Sequence, residues 1–455
     1  MGRLFGTDGI RGVANTELTP ELAMNLGRAA ALVLAKDGRR RPLFVIGCDT
    51  RVSSDMLAAA LTAGLCSVGA DVIDLGVIAT PAVAYLVGKY KADAGVMVSA
   101  SHNPAEFNGI KLFDGDGYKL PDALEEAIEA LVLGKTAYPR PLGGQLGRVT
   151  AASSACTDYV QHLKSTVPVV PEGMRIAVDC ANGSAVATAK RLFTELGCEV
   201  TVLSDAPNGT NINENCGSTH LEALAKAVVE NGLELGVAFD GDADRCLCVD
   251  HTGAVVDGDD IMAICAVDLQ DRGKLSGNTV VGTVMTNFGF TKFCEERKLQ
   301  FIATRVGDRY VLEELLLGDF SFGGEQSGHI IFRDFATTGD GQLTAVQLLS
   351  YLKRCGTPLH ELTKRMKRYP QHVLNIAVSP EGKSRFYTNS AVKAAIEEAK
   401  DALGGGGRIV VRPSGTEPLI RVMAEGEDGA LVKAQATAVA AVICEQLGGR
   451  CEDMT

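Results

Sequence analysis

The stretch that decides the fold spans residues 43–75 and reads LFVIGCDTRVSSDMLAAALTAGLCSVGADVIDL. Its first part, Leu43–Gly47, is a short apolar run, which is typical of a strand covered on both faces of a sheet. Ser53 and Ser54 are candidates for a helix N-cap, and apolar residues then recur at helical spacing. Val72–Leu75 predicts a second strand, so the whole stretch predicts a βαβ unit.

The pattern of strand, helix and strand returns twice further along the chain. It is found at Arg175–Asp179, Ala185–Leu196 and Glu199–Leu203, and again at Thr279–Val284, Phe288–Arg297 and Phe301–Thr304. A βαβ unit places its two strands in parallel, because the helix returns the chain to the same edge of the sheet. We therefore expect three consecutive α/β domains with mixed, mainly parallel sheets, followed by a C-terminal α+β domain.

Loop composition indicates where these domains meet. Residues 137–147 (AYPRPLGGQLG) are rich in proline and glycine and predict a connector. Further boundaries are expected near residues 255–260 and around Pro370. The predicted domains are residues 1–150, 151–255, 256–369 and 370–455.

Composition excludes some classes of function. The chain has 455 residues and a net charge of −12, which argues against general nucleic-acid binding, because that requires a basic surface. The 13 cysteines include no CxxC pair, and we interpret them as reduced core residues of a cytoplasmic protein. The N-terminus lacks the apolar core of a signal peptide, and we expect no stretch that approaches a membrane span.

A loop of small and polar residues, Ser99–Pro104 (SASHNP), follows the apolar run Ala94–Val98. A hydroxyl here would lie at the end of a strand, where open α/β sheets bind their ligands. An ordinary turn of Ser, Asn and Pro explains the same composition. Composition alone favours the ordinary turn over a functional hydroxyl. The flanking residues do not form the G-x-S-x-G turn of hydrolases.

Three carboxylates alternate along Asp240–Arg245 (DGDADR), directly after the apolar run Leu235–Phe239. Such a turn can direct its carboxylates at one hard cation. An EF-hand is excluded, because the required Gly and Glu positions hold Arg245 and His251. A solvated acidic turn is the alternative, but three like charges repel each other, which favours a cation. Three protein ligands leave room for a phosphate oxygen, as Mg²⁺ prefers.

Three other segments carry polar side chains between glycines. Arg412–Pro418 (RPSGTEP), with Arg421 beyond it, has the guanidinium and hydroxyl groups of a phosphate site, although a plain hairpin loop fits equally well. Gly323–His329 (GGEQSGH) offers groups for sugar hydroxyls and a histidine that could be an acid, a base or merely structural. Phe5–Gly12 (FGTDGIRG) predicts a loop that presents the cationic side chain of Arg11, or alternatively a mobile N-terminus.

In this order, the segments resemble the α-D-phosphohexomutase superfamily. The matching blocks are FGTDGIRG, SASHNP, NGIK at Asn108–Lys111, DGDADR, GEQSGH and RPSGTEP, which extend from near residue 4 to near residue 425. The resemblance implies four domains around a central cleft. The GEQSGH form, Val306–Val311 and the SGTEPLIRVMAE run are similar to the bacterial branch that acts on glucosamine phosphate.

The resemblance also implies roles for single residues. Ser101 would carry the phosphoryl group. The ligands of one Mg²⁺ would be Ser101, Asp240, Asp242 and Asp244. The groups around the reacting phosphate, or handling protons, would be Arg11, Lys111, Arg245 and His329. The sugar hydroxyls would bind Glu325 and Ser327, and the other phosphate would bind Arg412, Ser414, Gly415, Thr416 and Arg421.

By the same resemblance, the expected reaction interconverts glucosamine 6-phosphate and glucosamine 1-phosphate. It would proceed through a phosphoserine enzyme and a sugar 1,6-bisphosphate, with glucosamine or glucose 1,6-bisphosphate as intermediate and activator. The product would feed UDP-N-acetylglucosamine and cell-wall precursor synthesis. The same chemistry on glucose or mannose phosphate, and a sugar phosphatase, are the alternatives. The expected partner is a small sugar phosphate, with neither nucleic acid nor membrane, and the sequence leaves a homodimer open.

Overall fold

A computed structural model of the chain describes residues 4–6, 8–35, 41–134, 137–414 and 418–452. These residues form two compact units. The first unit comprises residues 1–283 and 302–364, and the second comprises residues 284–301 and 365–455.

The first sheet belongs to the N-terminal part of the first unit. Its strands are β1 (Ile10–Val13), β2 (Leu43–Cys48), β3 (Asp71–Val77), β4 (Ala94–Val98), β5 (Phe107–Phe113) and β6 (Val149–Ala151). The helices of this part are α1 (Pro20–Leu34), α2 (Val52–Ser67), α3 (Thr80–Tyr90) and α4 (Asp122–Leu133). The strand order is β1-β5-β4-β2-β3-β6. The pairs among β2, β3, β4 and β6 are parallel, whereas β5 is antiparallel to both β1 and β4.

Helices α1 and α2 pack at short range because each has a glycine at the contact. A Cβ atom on Gly27 would lie 2.5 Å from the carbonyl oxygen of Leu61, and one on Gly64 would collide with the carbonyl of Met24. A larger residue at either position would force the helices apart. The apolar faces of both helices belong to the core that covers this sheet.

The predicted N-cap of α2 is wrong. The helix begins at Val52, and Ser53 and Ser54 lie inside its first turn. Ser54 Oγ donates a hydrogen bond to the buried carboxylate of Asp49, and Ser53 Oγ accepts one from Asn108 Nδ2. The two hydroxyls therefore form hydrogen bonds with these side chains and do not cap the helix backbone.

The second and third sheets belong to the first unit, except that β13 begins with two residues of the second, Gln300 and Phe301. The strands of the second sheet are β7 (Arg175–Asp179), β8 (Glu199–Leu203), β9 (Leu235–Phe239), β10 (Cys246–Asp250) and β11 (Val255–Val256), in the order β11-β10-β9-β7-β8. Those of the third are β12 (Thr279–Thr283), β13 (Gln300–Thr304), β14 (Phe322–Gly324) and β15 (Ile330–Phe332), in the order β13-β12-β14-β15. The helices are α5 (Ala155–Ser165), α6 (Ala189–Glu195), α7 (Glu222–Glu230), α8 (Gly258–Asp271), α9 (Phe288–Arg297, in the second unit), α10 (Asp308–Leu317), α11 (Gly341–Cys355) and α12 (Leu359–Thr363).

The helix predicted over Ala185–Leu196 is divided. Ser184–Ala187 is a 3-10 turn, and α6 begins only after Thr188, whose φ of −135° is not helical. The hydroxyl of Thr188 is hydrogen-bonded to the buried side chain of Gln342, which lies in the first turn of α11. A β-branched residue held by this contact interrupts the helix, and the sequence pattern did not reveal it.

The second unit contains an antiparallel sheet covered by helices. Its strands are β16 (Gln371–Ala377), β17 (Gly407–Pro413), β18 (Leu419–Gly426) and β19 (Arg450–Glu452), in the order β17-β18-β16-β19. Its remaining helices are α13 (Pro380–Arg385), α14 (Ser390–Leu403) and α15 (Gly429–Leu447). Three mixed sheets followed by an antiparallel α+β domain confirm the predicted fold class.

Among the described residues, α15 is long and apolar enough to cross a membrane by length and composition. The expectation that no stretch approaches a membrane span in length is therefore wrong for this helix. Its buried residues are Val432, Ala436, Val439, Ala440, Ile443 and Leu447. They lie on one face and belong to the core formed with the antiparallel sheet, as in the core helix of a globular domain.

All 13 cysteines fall within the described residues and are free thiols. Burial raises the pKa of Cys180 and Cys265, so these thiols are protonated and unreactive. Most of the others are buried too, whereas Cys451 is exposed.

Candidate active site

The three carboxylates among the four predicted metal ligands lie in the turn between β9 and β10. These strands pair antiparallel, with Phe239 opposite Cys246, so the intervening residues form one tight connection. Carboxylate oxygens of Asp240, Asp242 and Asp244 lie within 4.8 Å of one another, and all three side chains are buried. The sequence spacing thus brings three carboxylates together away from solvent.

This cluster has unsatisfied acceptor capacity. The Oδ1 atoms of Asp242 and Asp244 are buried and have no hydrogen-bond partner among the described residues. Burial, together with the charges of Asp244 and Asp242, raises the pKa of Asp240 to about 8. A hard divalent cation takes carboxylate oxygens as ligands and would relieve both penalties. The residues present therefore fit a metal ion.

Ser101 lies in the loop between β4 and β5 and faces this cluster. Its backbone has φ of 53°, which is uncommon for a residue other than glycine. The hydroxyl Oγ donates a hydrogen bond to Asp240 Oδ2 at 2.5 Å, and the side chain is buried. The amide N–H of Ser101 donates to Ser99 Oγ at 3.1 Å. The structure therefore places the predicted phosphoryl acceptor directly against the carboxylates.

Lys111 provides positive charge at the same point. It lies on β5 opposite Met97, and its ammonium is 2.8 Å from Asp242 Oδ2, 3.3 Å from Asp244 Oδ2 and 3.0 Å from Asp8 Oδ2. Burial alone would lower the pKa of Lys111, but the surrounding carboxylates raise it well above its ordinary value. The side chain is therefore a permanent cation at neutral pH.

Arg11 joins this network through Asp8. The Arg11 guanidinium lies 2.5 Å from Asp8 Oδ2, and Asp8 also pairs with Lys111 and Lys119. Lys119 forms a further ion pair with Asp308 at the start of α10. Sequence reasoning did not single out Lys119 and Asp308, because neither stands in a motif whose spacing points to the other.

His329 is buried between two carboxylates. Its Nδ1 is 3.6 Å from Asp244 Oδ1, and its Nε2 is 3.5 Å from Asp308 Oδ2. The backbone N–H of Gly339 donates to Nε2 at 3.0 Å, so the neutral ring carries its proton on Nδ1, facing Asp244. Both ring nitrogens are thus directed at protein groups.

The remaining predicted residues of the first unit lie nearby. Glu325 accepts a hydrogen bond from the N–H of Gly307 at 3.0 Å, and burial raises the pKa of the Glu325 carboxyl. The N–H of Arg245 donates to Asp240 Oδ1 at 3.2 Å. Ser327 Oγ and Arg245 Nε are buried without a hydrogen-bond partner among the described residues. Such groups are available to a polar ligand.

The predicted phosphate loop belongs to the second unit. Arg412 on β17 lies opposite Arg421 on β18, and burial together with the charge of Arg421 lowers the pKa of Arg412. Arg421 Nε donates to Asn375 Oδ1 at 2.9 Å, and the N–H of Ser414 donates to the carbonyl of Leu419. Two adjacent guanidinium groups suit an anion. The predicted Gly415 and Thr416 lie outside the described residues.

Four family models match the chain in order. They are described as phosphoglucomutase/phosphomannomutase alpha/beta/alpha domain I at residues 2–139, domain II at 157–253, domain III at 257–369 and the C-terminal domain at 374–442. The chain belongs to the phosphoglucomutase/phosphomannomutase family. This confirms the resemblance inferred from the six sequence blocks.

Individual members of the phosphoglucomutase/phosphomannomutase family are similar to the chain in sequence or in structure. A protein named phosphoglucosamine mutase from Thermoanaerobacter sp. (strain X514) is 53% identical over 447 residues, which cover 98% of this chain and 100% of the relative. A crystal structure of a family protein from Burkholderia thailandensis superposes with a TM-score of 0.83 at 22% identity, over 98% of each chain. The N-acetylphosphoglucosamine mutase of Aspergillus fumigatus, solved with GlcNAc-6P and magnesium, has a TM-score of 0.68 at 19% identity, over 98% of this chain and 96% of that one. At these identities, the two solved structures show that the fold is shared and carry no conclusion about function.

Proposed function

We propose that the protein interconverts glucosamine 6-phosphate and glucosamine 1-phosphate by way of a phosphoryl group on Ser101. The observation that carries the proposal is the buried hydroxyl of Ser101, which donates to Asp240 at 2.5 Å within a cluster of carboxylates and cations. The name of relatives that are 53% identical over 98% of the chain supports glucosamine phosphate as the substrate. The expected bound partners are therefore sugar phosphates.

The reaction has two transfers that balance each other. In the first, the P–O bond to Ser101 Oγ breaks, the phosphoryl group joins the free 1-hydroxyl of glucosamine 6-phosphate, and the proton that this hydroxyl loses ends on Ser101 Oγ. The resulting 1,6-bisphosphate turns around. In the second, the P–O bond at the 6-position breaks, the 6-phosphoryl group joins Ser101 Oγ, the proton that the serine loses ends on the 6-oxygen, and glucosamine 1-phosphate leaves. The serine ends as it began, so no phosphate is consumed.

Charge neutralisation is the main requirement of such a transfer. Lys111 stays cationic because three carboxylates surround it, so it acts on the phosphoryl oxygens as a fixed charge and not as a base. Asp240 accepts the hydrogen bond of Ser101, which places it to take the serine proton when the phosphoryl group returns. His329 has its two ring nitrogens facing protein groups, with Nδ1 3.6 Å from Asp244 Oδ1, so in this proposal it contributes charge near Asp244 and is not the proton acceptor of Ser101.

The carboxylates Asp240, Asp242 and Asp244, with Ser101, would hold Mg²⁺, which when bound would neutralise charge on the transferring phosphoryl oxygens. Glu325 and Ser327 would receive sugar hydroxyls. The loop with Arg412, Ser414 and Arg421 would bind the phosphate that is not transferred, which orients the sugar for reaction.

Mass spectrometry combined with kinetics tests the proposal. The Ser101 peptide should carry a phosphate after incubation with glucose 1,6-bisphosphate, and glucosamine 6-phosphate should be isomerised. The variant Ser101→Ala should take up no phosphate at this peptide and lose isomerisation. Ser153→Ala, at an exposed serine between β6 and α5, is the comparison for the loss of a serine hydroxyl outside the site.

Three kinds of outcome would contradict the proposal. An unmodified Ser101, or normal isomerisation by Ser101→Ala, would remove the phosphoserine. Faster turnover of glucose or mannose 6-phosphate than of glucosamine 6-phosphate, assayed in parallel, would assign another sugar. Release of inorganic phosphate without isomer would indicate a phosphatase.

A further inference from the structure

Two side chains from distant parts of the first unit hold the same pair of backbone carbonyl groups. Asn213 Nδ2 donates to the carbonyl oxygen of Ser101 at 2.9 Å and to that of Asn103 at 3.0 Å. Arg51 Nη2 donates to the same two oxygens, at 3.1 Å and 2.6 Å. Each carbonyl on either side of His102 thus receives two hydrogen bonds.

The guanidinium of Arg51 is itself fixed. It is fully buried and forms an ion pair with Asp49, whose carboxylate also accepts hydrogen bonds from the hydroxyls of Ser54 and Ser99. The Ser99 hydroxyl in turn accepts the N–H of Ser101. The Ser101 loop is therefore held by a network of buried side chains, namely Asp49, Arg51, Ser54 and Ser99.

The conformation that this network holds is a strained one. Ser101 has φ of 53°, and a left-handed backbone at a residue other than glycine persists when its surroundings enforce it. Gly241, between two of the carboxylates, makes room for the arrangement. A Cβ atom there would lie 2.5 Å from the carbonyl oxygen of Ser101 and 2.9 Å from Asn213 Nδ2.

We propose that Arg51 and Asn213 form a carbonyl clamp that fixes the Ser101 loop in the conformation that directs its hydroxyl at Asp240. The inference rests on the proposed function, since it assigns these residues to the positioning of the phosphoryl acceptor. Neither side chain touches the reacting atoms, so both are positioning residues. Asn213 comes from the loop before α7, so this loop of the second sheet sets the geometry of a loop of the first.

The clamp predicts a particular kinetic defect. Substrate groups bind elsewhere, so loosening the loop should lower kcat and leave KM nearly unchanged. A misplacement of about 1 Å at a reacting group costs about 100-fold in rate. A merely structural residue would lower the amount of folded enzyme and leave the kcat of the folded fraction unchanged.

Asn213→Gly is the decisive variant, because its φ of 60° suits glycine and the backbone is retained. Asn215→Gly is a matched control, since Asn215 is an exposed residue of the same loop with φ of 51°. Arg51→Lys is a second variant, because an ammonium cannot keep the planar fork that serves both carbonyls and Asp49. Kinetics on glucosamine 6-phosphate and hydrogen–deuterium exchange of the peptide spanning residues 99–105 are measured for all of them.

We expect Asn213→Gly to lower kcat about 100-fold, to change KM by less than about 3-fold and to exchange the loop amides faster, with Asn215→Gly like the parent. Unchanged exchange in Asn213→Gly would overturn the clamp whether or not the parent enzyme is active. Unchanged kcat together with faster exchange would overturn the positioning role. If the parent does not isomerise glucosamine 6-phosphate, the proposed function fails. The clamp is still tested in that case, by hydrogen–deuterium exchange of the peptide spanning residues 99–105 and by the uptake of phosphate from glucose 1,6-bisphosphate at Ser101.

Discussion

Asp340 makes the stability of the first unit depend on pH. It is buried at the N-cap of α11, where it accepts hydrogen bonds from the N–H of Leu343 at 2.9 Å and from the hydroxyl of Tyr159 at 2.8 Å. Burial raises the pKa of Asp340 to about 7. The helix that it caps begins against the carboxylate turn, because the N–H of Gly341 donates to the carbonyl of Ala243.

Proton linkage determines whether the free energy of unfolding rises or falls with pH. The folded protein holds the proton of Asp340 up to about pH 7, whereas the unfolded chain releases it near its ordinary value of 3.8. The contribution to stability is therefore complete below pH 3.8 and is lost as the pH rises through 7. At about 1.4 kcal/mol for each pH unit, the full effect is about 4 kcal/mol, of which about 2 to 3 kcal/mol falls between pH 5 and pH 8.

Asp340→Asn isolates this effect, since asparagine caps a helix as well as aspartate and cannot ionise. The free energy of unfolding of the variant, relative to the parent, should rise by about 2 to 3 kcal/mol from pH 5 to pH 8, measured by urea unfolding with circular dichroism. Tyr159→Phe should move the transition to higher pH, because the hydrogen bond from Tyr159 lowers the pKa of Asp340.

Asp428→Asn makes the same change at an exposed N-cap, that of α15, and gives the pH dependence of the substitution without burial. The free energy of unfolding of Asp340→Asn minus that of the parent is compared from pH 5 to pH 8. If this difference stays constant or falls, the buried carboxyl does not titrate as the structure indicates. The reasoning would then be refuted.

Three further predictions concern the site. Lys111→Met leaves Asp242 and Asp244 without their cation, so kcat should fall about 100- to 1000-fold and urea unfolding should show a loss of about 3 to 5 kcal/mol; unchanged stability would contradict the ion pairs. Removal of divalent cations should lower the apparent Tm, and Mg²⁺ should restore it in the parent but not in Asp242→Asn, measured by scanning fluorimetry. Arg412→Lys should raise KM for glucosamine 6-phosphate about 10-fold with a smaller change in kcat, because the bidentate contact is lost; an unchanged KM would exclude Arg412 from phosphate binding.

The sequence predicted best the elements on which the site is built. The strands Ala94–Val98 and Leu235–Phe239 begin and end where their apolar runs do, because both are covered on the two faces of their sheets. The loops that follow them carry Ser101 and Asp240. An apolar run followed by small polar residues marks the end of a buried strand, and this local signal was sufficient to find the two loops.

Residues that act from a distance left no such signal. Arg51 and Asn213 are separated by more than 160 positions and meet only because the first two sheets place their loops together. Lys119 and Asp308 form their ion pair in the same way. Spacing rules describe one helix or strand, so partners that tertiary packing brings together are invisible to them.

The charges of the site explain why a hydroxyl is held against buried carboxylates. Among the described residues, ion pairs join four carboxylates (Asp8, Asp242, Asp244 and Asp308) to four cations (Arg11, Lys111, Lys119 and Arg245), while Asp240, whose pKa is raised to about 8, adds little charge at neutral pH. A phosphoryl group on Ser101 would add a charge of about −2, and a divalent cation adds +2. The two additions cancel, so the phosphorylated, metal-bound site has the same near balance as the bare one. A bound divalent cation would therefore offset the charge of the phosphoryl group, so the buried ion pairs need not change partners to do so.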